Sequence, residues 1–183
     1  DKLEVVTAPG LSYYYVGFKL GKFEKKRKAI VDTNAKYDNK DLRKAMMYAL
    51  NREEWVDAFF FGYGKPVNKP VPSSHWISAD DSDLETYEYD PEKAKALLEE
   101  AGYKDTNGDG FVEDPEGNEF VLNFASMEGG EVAEPIANHY IQNWADVGIK
   151  VQLTDGSLQE FNSFYNMVEA DDPKIDIYQA AWG

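Results

Sequence analysis

A helix with one apolar face is the clearest pattern in the chain, and it is predicted over residues 41–50. Its apolar positions follow the spacing i, i+3, i+4, i+7 and i+8, which lies along one side of an α-helix. The pattern therefore predicts an amphipathic helix that buries this face. The apolar positions are Leu42, Ala45, Met46, Ala49 and Leu50.

Two further helices carry sequence signals for their starts. Asn51 is the predicted N-cap of a helix over 52–61, because a Glu stands three residues later in the capping-box position. Asp90 and Pro91 open a third predicted helix, since Asp caps helix N-termini and Pro fits the first helical position. Between these helices, residues 62–89 predict a long irregular loop, a kind of segment that is often functional.

The second half of the chain alternates between strand and helix patterns with short connections, which favours a parallel sheet with crossover helices. Near the N-terminus, residues 13–20 predict another buried strand. The charged residues 22–40 predict a solvated connection. Their basic cluster is interpreted as a solvated surface rather than as a binding patch, because the cluster is small. The predicted fold class is α/β, as a single domain over 1–183. The alternating elements are strands at 120–124, 149–153 and 175–182 and helices at 132–147 and 157–168.

The net charge and the composition exclude several kinds of protein. The 183 residues include 19 Lys and Arg and 34 Asp and Glu, which gives a formal net charge of −15. A field this negative argues against nucleic acid as a partner and disfavours direct attachment to anionic lipid. Apolar residues make up 43% of the chain, enough for a core, but no apolar run approaches the ~20 residues that span a bilayer. Cysteine is absent, which excludes disulfides and thiolate metal sites.

The sharpest local motif is an acidic loop over residues 105–116. It has oxygen-bearing residues at loop positions 1, 3 and 5, Gly at position 6 and Glu at position 12, which is the pattern of a calcium loop with a structural ion. The alternative is a solvated turn of Asp, Asn and Gly, because a strand follows where an EF-hand has a helix. The predicted ligands are Asp105, Asn107, Asp109, the carbonyl of Phe111, Glu113 and Glu116.

No set of residues in the sequence builds an active site. His75 and His139 are the only histidines, and neither lies in a metal-binding or nucleophile–base pattern. The acids are so numerous that no glycosidase pair stands out. We therefore predict that the protein is not an enzyme. Trp182 is a candidate for ligand contact, because it lies at the carboxyl end of the last predicted parallel strand, where open α/β sheets bind ligands.

Five segments, in order along the chain, resemble one family: the extracellular solute-binding proteins of bacterial oligopeptide and dipeptide ABC importers. The resemblance covers essentially the whole chain and implies most of the C-terminal lobe of a two-lobed, hinged binding protein. Because the chain begins at Asp1 without Met, we expect it to be a piece of a longer protein. The segments are DLRKA with YALNRE in 41–53, YDPEKAKALLEEAGY in 89–103, DTNGDG in 105–110, GIKV in 148–151 and DIYQAAWG in 176–183.

The resemblance implies a ligand site on the strand that carries Trp182. In the family this Trp and the backbone groups around it contact peptide, which points to Ala181 and Gly183 here. Gln179 stands where some members have Arg, and Lys19 stands where the family often has a ligand-contacting Asn. An Asp that often pairs with the peptide amino terminus would fall after the last residue of this chain.

The resemblance also implies the biological setting of the protein. It implies an oligopeptide ligand, permease subunits in the membrane as partners, and a monomer on the surface of a Gram-positive bacterium as a lipoprotein, or a periplasmic protein. Two alternatives stay open: a family member that binds a metal complex, a sugar or a signalling peptide, and a calcium-dependent adhesion or carbohydrate-active module. Peptide main chains carry their own donors and acceptors, so a cleft can bind many sequences by strand addition.

Overall fold

A mixed β-sheet covered by helices forms the centre of the fold in the computed structural model, which describes residues 3–31, 36 and 38–183. The predicted α/β class is confirmed. In chain order the elements are β1 (Tyr13–Phe18), β2 (Phe23–Glu24), β3 (Ala29–Ile30), α1 (Lys40–Tyr48), α2 (Arg52–Phe60), α3 (Pro91–Glu100), β4 (Val121–Ala125), α4 (Ala133–Ala145), β5 (Lys150–Leu153), α5 (Phe161–Glu169) and β6 (Ile177–Trp182).

The sheet has the strand order β1–β6–β4–β5. Strand β4 pairs in parallel with both β5 and β6, which confirms the predicted parallel arrangement of these three strands. Strand β1 pairs antiparallel with β6 along its whole length, from Tyr13 opposite Trp182 to Phe18 opposite Ile177. The sheet is therefore mixed, because the N-terminal strand joins an otherwise parallel set at its edge.

The two crossover helices cover opposite faces of the sheet. The step from β4 to β5 and the step from β5 to β6 run in opposite directions across the sheet, so right-handed crossovers place their helices on opposite sides. Helix α4 packs with α1 and α3 in the larger core, where Leu122 and Phe124 of β4 point. Helix α5 packs through Phe164 on Ala125 and Ala180. The alternation of neighbouring residues between the two cores is the period-2 pattern of a strand.

The predicted helix signals are confirmed by the side-chain contacts. The apolar residues of the first predicted helix are buried, and Leu42 is completely inaccessible. The side chain of Asn51 accepts a hydrogen bond from the Glu54 amide at 3.2 Å, and that of Asp90 accepts one from the Lys93 amide at 2.9 Å. These caps satisfy amides that have no partner within the helix.

Two helix boundaries and one predicted connection differ from the prediction for identifiable reasons. Helix α2 ends one residue early, since Phe61 has a left-handed backbone (φ 52°). Helix α5 begins at Phe161 rather than at residue 157, because Gln159 pairs with the strand extension after β4: its amide donates to the Ser126 carbonyl at 2.9 Å. The predicted solvated connection 22–40 contains a small hairpin of β2 and β3, while its residues 32–35 and 37 lie outside the described residues.

The loop over 62–89 has neither helix nor strand, as predicted, and one side chain anchors it. Arg52 of α2 donates to the carbonyls of Val67 and Tyr87 and to the side chain of Asn68. Arg52 is half-buried by these contacts, and this burial lowers the pKa of its guanidinium. In the part of the chain that the structure describes, no helix is long and apolar enough to cross a membrane.

Candidate functional site

An open strand edge lies at the carboxyl end of β6. On one side, β1 pairs with β6 as far as Trp182. On the other side, β4 pairs only with Ile177 and Tyr178, and among the described residues no strand continues this pairing along 179–182. The chain after β4 turns away at Met127 to pair with Gln159 instead. Gln179 and Ala180 are buried, so Ala181 and Trp182 are the residues of β6 whose main-chain groups lie open to a further strand.

Trp182 stands beside this open edge and faces solvent. Its side chain is 67% exposed, and it makes no ring contact with any residue of the described ranges. Ala181 and Gly183, to which the family resemblance points, are exposed next to it. Ser12 packs closely against Gly183: a Cβ added to Gly183 would lie 2.6 Å from Ser12 Oγ, so a larger residue at position 183 would displace the Ser12 side chain. Three of the predicted ligand residues, which are consecutive in the sequence, are therefore exposed at this end of β6.

Gln179 lies at the same edge but is buried. Its side-chain oxygen accepts a hydrogen bond from Ser126 Oγ at 3.2 Å, and both residues are less than 10% exposed. Gln179 and Ser126 therefore form a buried hydrogen-bonded pair beside the open edge. Ser126 was not among the residues predicted from the sequence. Ser126 directly follows β4, so the rule that pointed to Trp182, the carboxyl end of a parallel strand, also applies to it.

Lys19 lies at the other end of the sheet, away from Trp182. It follows β1, and its amide donates to the carbonyl of Asp176, which precedes β6. Its ammonium group forms an ion pair with Asp171 at 2.8 Å and donates to two backbone carbonyls. Six residues of strand separate Asp176 from Trp182, or roughly 20 Å at ~3.3 Å per residue. The structure does not bring Lys19 together with the other predicted ligand residues, because the antiparallel pairing puts it at the opposite end.

The side chains at the open edge carry no charge. Ser126, Gln179 and Trp182 are polar or aromatic. Tyr15 lies on the α5 side of the sheet, where burial and the neighbouring Tyr178 raise the pKa of its hydroxyl. An uncharged edge can bind through main-chain pairing and aromatic contact without selecting a charge on the ligand.

The predicted calcium loop is a turn that satisfies its own oxygens. Asp105 accepts from the amides of Gly108 and Gly110 at 2.7 and 2.9 Å, and Asp109 accepts from the amide of Phe111 at 2.8 Å. Asn107 accepts from the amide of Asp109 at 2.8 Å. These contacts match the alternative of an Asp, Asn and Gly turn, and they leave calcium binding untested.

The acidic side chains predicted as ligands in the second half of the loop do not converge on one point. Glu113 is buried and accepts from Thr106 and Asn107 at 2.6 to 2.7 Å, while Glu116 is exposed. Within the ranges that the structure describes, no three His, Cys, Asp or Glu side chains are gathered to hold a metal ion. Calcium at this loop stays a prediction, and it would require the carboxylates of the loop to rearrange.

Comparison with known proteins decides the family. The family model described as bacterial extracellular solute-binding proteins, family 5 Middle, matches residues 1–183. The chain belongs to this family. The resemblance seen in the five segments is therefore confirmed, and the sheet and helices described above are a part of the family 5 fold.

Two of the similar proteins are named oligopeptide-binding proteins. The oligopeptide-binding protein AppA of Bacillus subtilis (strain 168) is 33% identical over 152 residues, which is 83% of this chain and 26% of AppA. The oligopeptide-binding protein OppA of Lactococcus lactis subsp. cremoris (strain SK11) is 35% identical over 159 residues, 86% of this chain and 26% of OppA. The chain spans about a quarter of the length of these relatives.

A solved structure gives the same picture in three dimensions. Lactococcal OppA, complexed with an endogenous peptide in the closed conformation, superposes with a TM-score of 0.80 at 31% identity. The match covers 94% of this chain and 32% of that one. The fold of the described residues is thus that of one region of a larger family 5 protein.

Proposed function

We propose that this chain contributes part of the ligand site of an oligopeptide-binding receptor for an ABC importer. The observation that carries the proposal is the open edge of β6 beyond Tyr178, with the exposed ring of Trp182 at its end. An extended peptide pairs with the free main-chain groups of this edge as an added strand. Trp182 packs against the peptide, and Ala181 and Gly183 offer backbone groups to it.

The chemistry of the edge suits a receptor that accepts many sequences. Main-chain pairing is the same for every peptide except at proline, and the side chains of Gln179 and Ser126 bind each other rather than a ligand charge. Closure of a second lobe over the peptide then removes these polar groups from water and holds the ligand. Neither step needs a catalytic group, so the protein we propose binds and releases its ligand unchanged.

The setting of the whole protein is part of the proposal. The family is one of extracellular solute-binding proteins, and we assign residues 1–183 to a single domain in the C-terminal lobe of a two-lobed, hinged member. The receptor is a monomeric lipoprotein on the surface of a Gram-positive bacterium. It delivers peptide to the permease subunits of its importer and has no nucleic-acid partner.

The experiment is a ligand screen on the full-length protein, after partial unfolding and dialysis to remove any co-purified ligand. Peptide pools of defined length should raise its melting temperature, and calorimetry should give a one-to-one complex. Mass spectrometry of the untreated protein should find a bound peptide. A protein that ignores all peptide lengths but binds glutathione or a sugar would refute the peptide assignment within the family. Hydrolysis of a glycoside would refute the receptor function itself.

A further inference from the structure

A small basic hairpin projects from the end of the sheet that lies away from Trp182. It consists of β2 and β3, with Phe23 paired to Ile30 and Glu24 paired to Ala29. The amide of Val31 donates to the carbonyl of Lys22 at 2.9 Å, which closes the base of the hairpin. The predicted solvated connection is thus an ordered element with a defined surface.

The hairpin concentrates positive charge in an acidic protein. Residues 22–28 hold five basic residues and one acidic residue, a net charge of +4, so the other 176 residues carry −19. Arg27 pairs with Glu24 at 3.1 Å. The other four basic side chains are exposed, and none forms an ion pair with a residue in the described part of the chain. We call them the hairpin lysines: Lys22, Lys25, Lys26 and Lys28.

Apolar side chains lie on the same hairpin and are also exposed. Phe23 is 52% exposed and Ile30 is 56% exposed. Because they are directly opposite in an antiparallel pair, their side chains stand on the same face. Leu20 and Val31, next to the hairpin, are 39% and 43% exposed. A solvated connection needs lysines but gains nothing from an exposed aromatic and aliphatic pair between them.

We propose that this hairpin binds the surface of an anionic lipid bilayer. The hairpin lysines pair with lipid phosphates, while Phe23 and Ile30 enter the boundary between headgroups and acyl chains, which combines the two signals that hold a protein on a membrane surface. The net charge of the chain opposes this contact only over a short range, because the Debye length at physiological ionic strength is about 8 Å. The local charge of the hairpin therefore decides the interaction.

The position of the hairpin is compatible with ligand binding. Lys19 leads from β1 into the hairpin, and the amide of Phe23 donates to Asp171 at 3.2 Å. The amide of Lys19 donates to the carbonyl of Asp176, directly before β6, and Asp171 lies in the segment between α5 and β6, whereas the open edge lies at the far end of β6. A bilayer that touches the hairpin therefore leaves the edge near Trp182 accessible to a ligand.

The test is sedimentation of the unlipidated full-length protein with vesicles. We expect binding to vesicles of equal parts phosphatidylcholine and phosphatidylglycerol, weak binding to phosphatidylcholine alone, and a steep decrease with added salt. The variant Lys25→Gln/Lys26→Gln/Lys28→Gln should lower the partition coefficient by roughly 100-fold, since each of three cations near an anionic surface contributes about fivefold. The variant Phe23→Ser/Ile30→Ser keeps every charge and should lower it about threefold or more.

A matched control separates location from total charge. Lys40, Lys65 and Lys104 are exposed lysines outside the hairpin, and changing all three to Gln gives the same net charge as the hairpin variant. This control should bind vesicles within about twofold of the unchanged protein. Equal losses in both triple variants, or no preference for the anionic vesicles, would overturn the proposal. So would a hairpin variant that binds vesicles normally but loses binding to detergent-solubilised permease subunits, because the partner would then be a protein.

Discussion

Replacing Trp182 by Ala is the sharpest test of the open strand edge as a peptide site. The side chain is 67% exposed and has no ring partner in the described residues, so its removal should leave the fold intact. In the proposed complex, peptide covers the indole while pairing with the main chain of β6. The change should therefore weaken ligand binding and leave the free energy of unfolding of the free protein within about 0.5 kcal/mol of its original value.

The expected magnitude follows from the exposed area. A Trp side chain has about 250 Å² of surface, so roughly 170 Å² is open to solvent at 67% exposure. A peptide that covers half of this area removes roughly 85 Å² from water, which at ~25 cal/mol per Å² contributes about 2 kcal/mol. That free energy corresponds to a dissociation constant weaker by about 30-fold.

Calorimetry of the full-length protein with one defined peptide measures this change, and Trp76→Ala is the matched control. Trp76 is 88% exposed but lies in the loop over 62–89, stacked on His75 rather than beside β6. We expect the control to keep its affinity within about threefold. If Trp182→Ala binds peptide as tightly as the control does, the open edge is not where the ligand lies, and the reasoning from strand addition fails.

Three further predictions concern stability and metal binding. Trp144 is fully buried and donates from its indole nitrogen to the carbonyl of Met46 at 3.1 Å. Trp144→Phe should lower the free energy of unfolding, measured in urea, by about 2 kcal/mol, and a loss below ~0.5 kcal/mol would contradict this packing. The backbone amide of Asn118 and other donors lower the pKa of the Asp114 carboxyl in the folded protein. The ionised carboxyl therefore stabilises the fold above the unfolded pKa of ~4, and this contribution is lost as the pH falls through the lower folded pKa. The variant Asp114→Asn should flatten the decline of melting temperature between about pH 5 and 3. Calcium should raise the melting temperature of metal-free protein and Asp105→Asn should abolish the rise, whereas an unchanged melting temperature would exclude the calcium loop.

Much of the candidate site was accessible to sequence reasoning, but its shape was not. Trp182 follows from a strand at the end of an alternating pattern, and the family resemblance added its neighbours Ala181 and Gly183; all three are exposed at the end of β6. The buried pair of Ser126 and Gln179 depends on two residues 53 positions apart, and only Gln179 was named, through the family resemblance. Lys19 was named for the same reason, yet antiparallel pairing carries it to the opposite end of the sheet.

Local structure was determined by the sequence alone because its causes are local. The caps at Asn51 and Asp90 join side chains to amides three residues away, and the apolar face of α1 needs only the period of a helix. The same holds for the turn at 105–110, whose oxygens bind amides within five residues. Both partners of such a contact lie within a few residues of each other, so the contact can be predicted from the local sequence.

Only the tertiary structure decided which strand edges stay open and which surfaces face outward. Strand β1 pairs with β6 across more than 150 residues of chain, and it occupies one side of β6 while β4 stops short on the other. Phe23 and Ile30 form one exposed apolar surface because the hairpin of β2 and β3 pairs them directly. These features depend on which distant segments pack against each other. That pairing is determined by loop-closure entropy and by packing over the whole chain, so it cannot be predicted from any one segment.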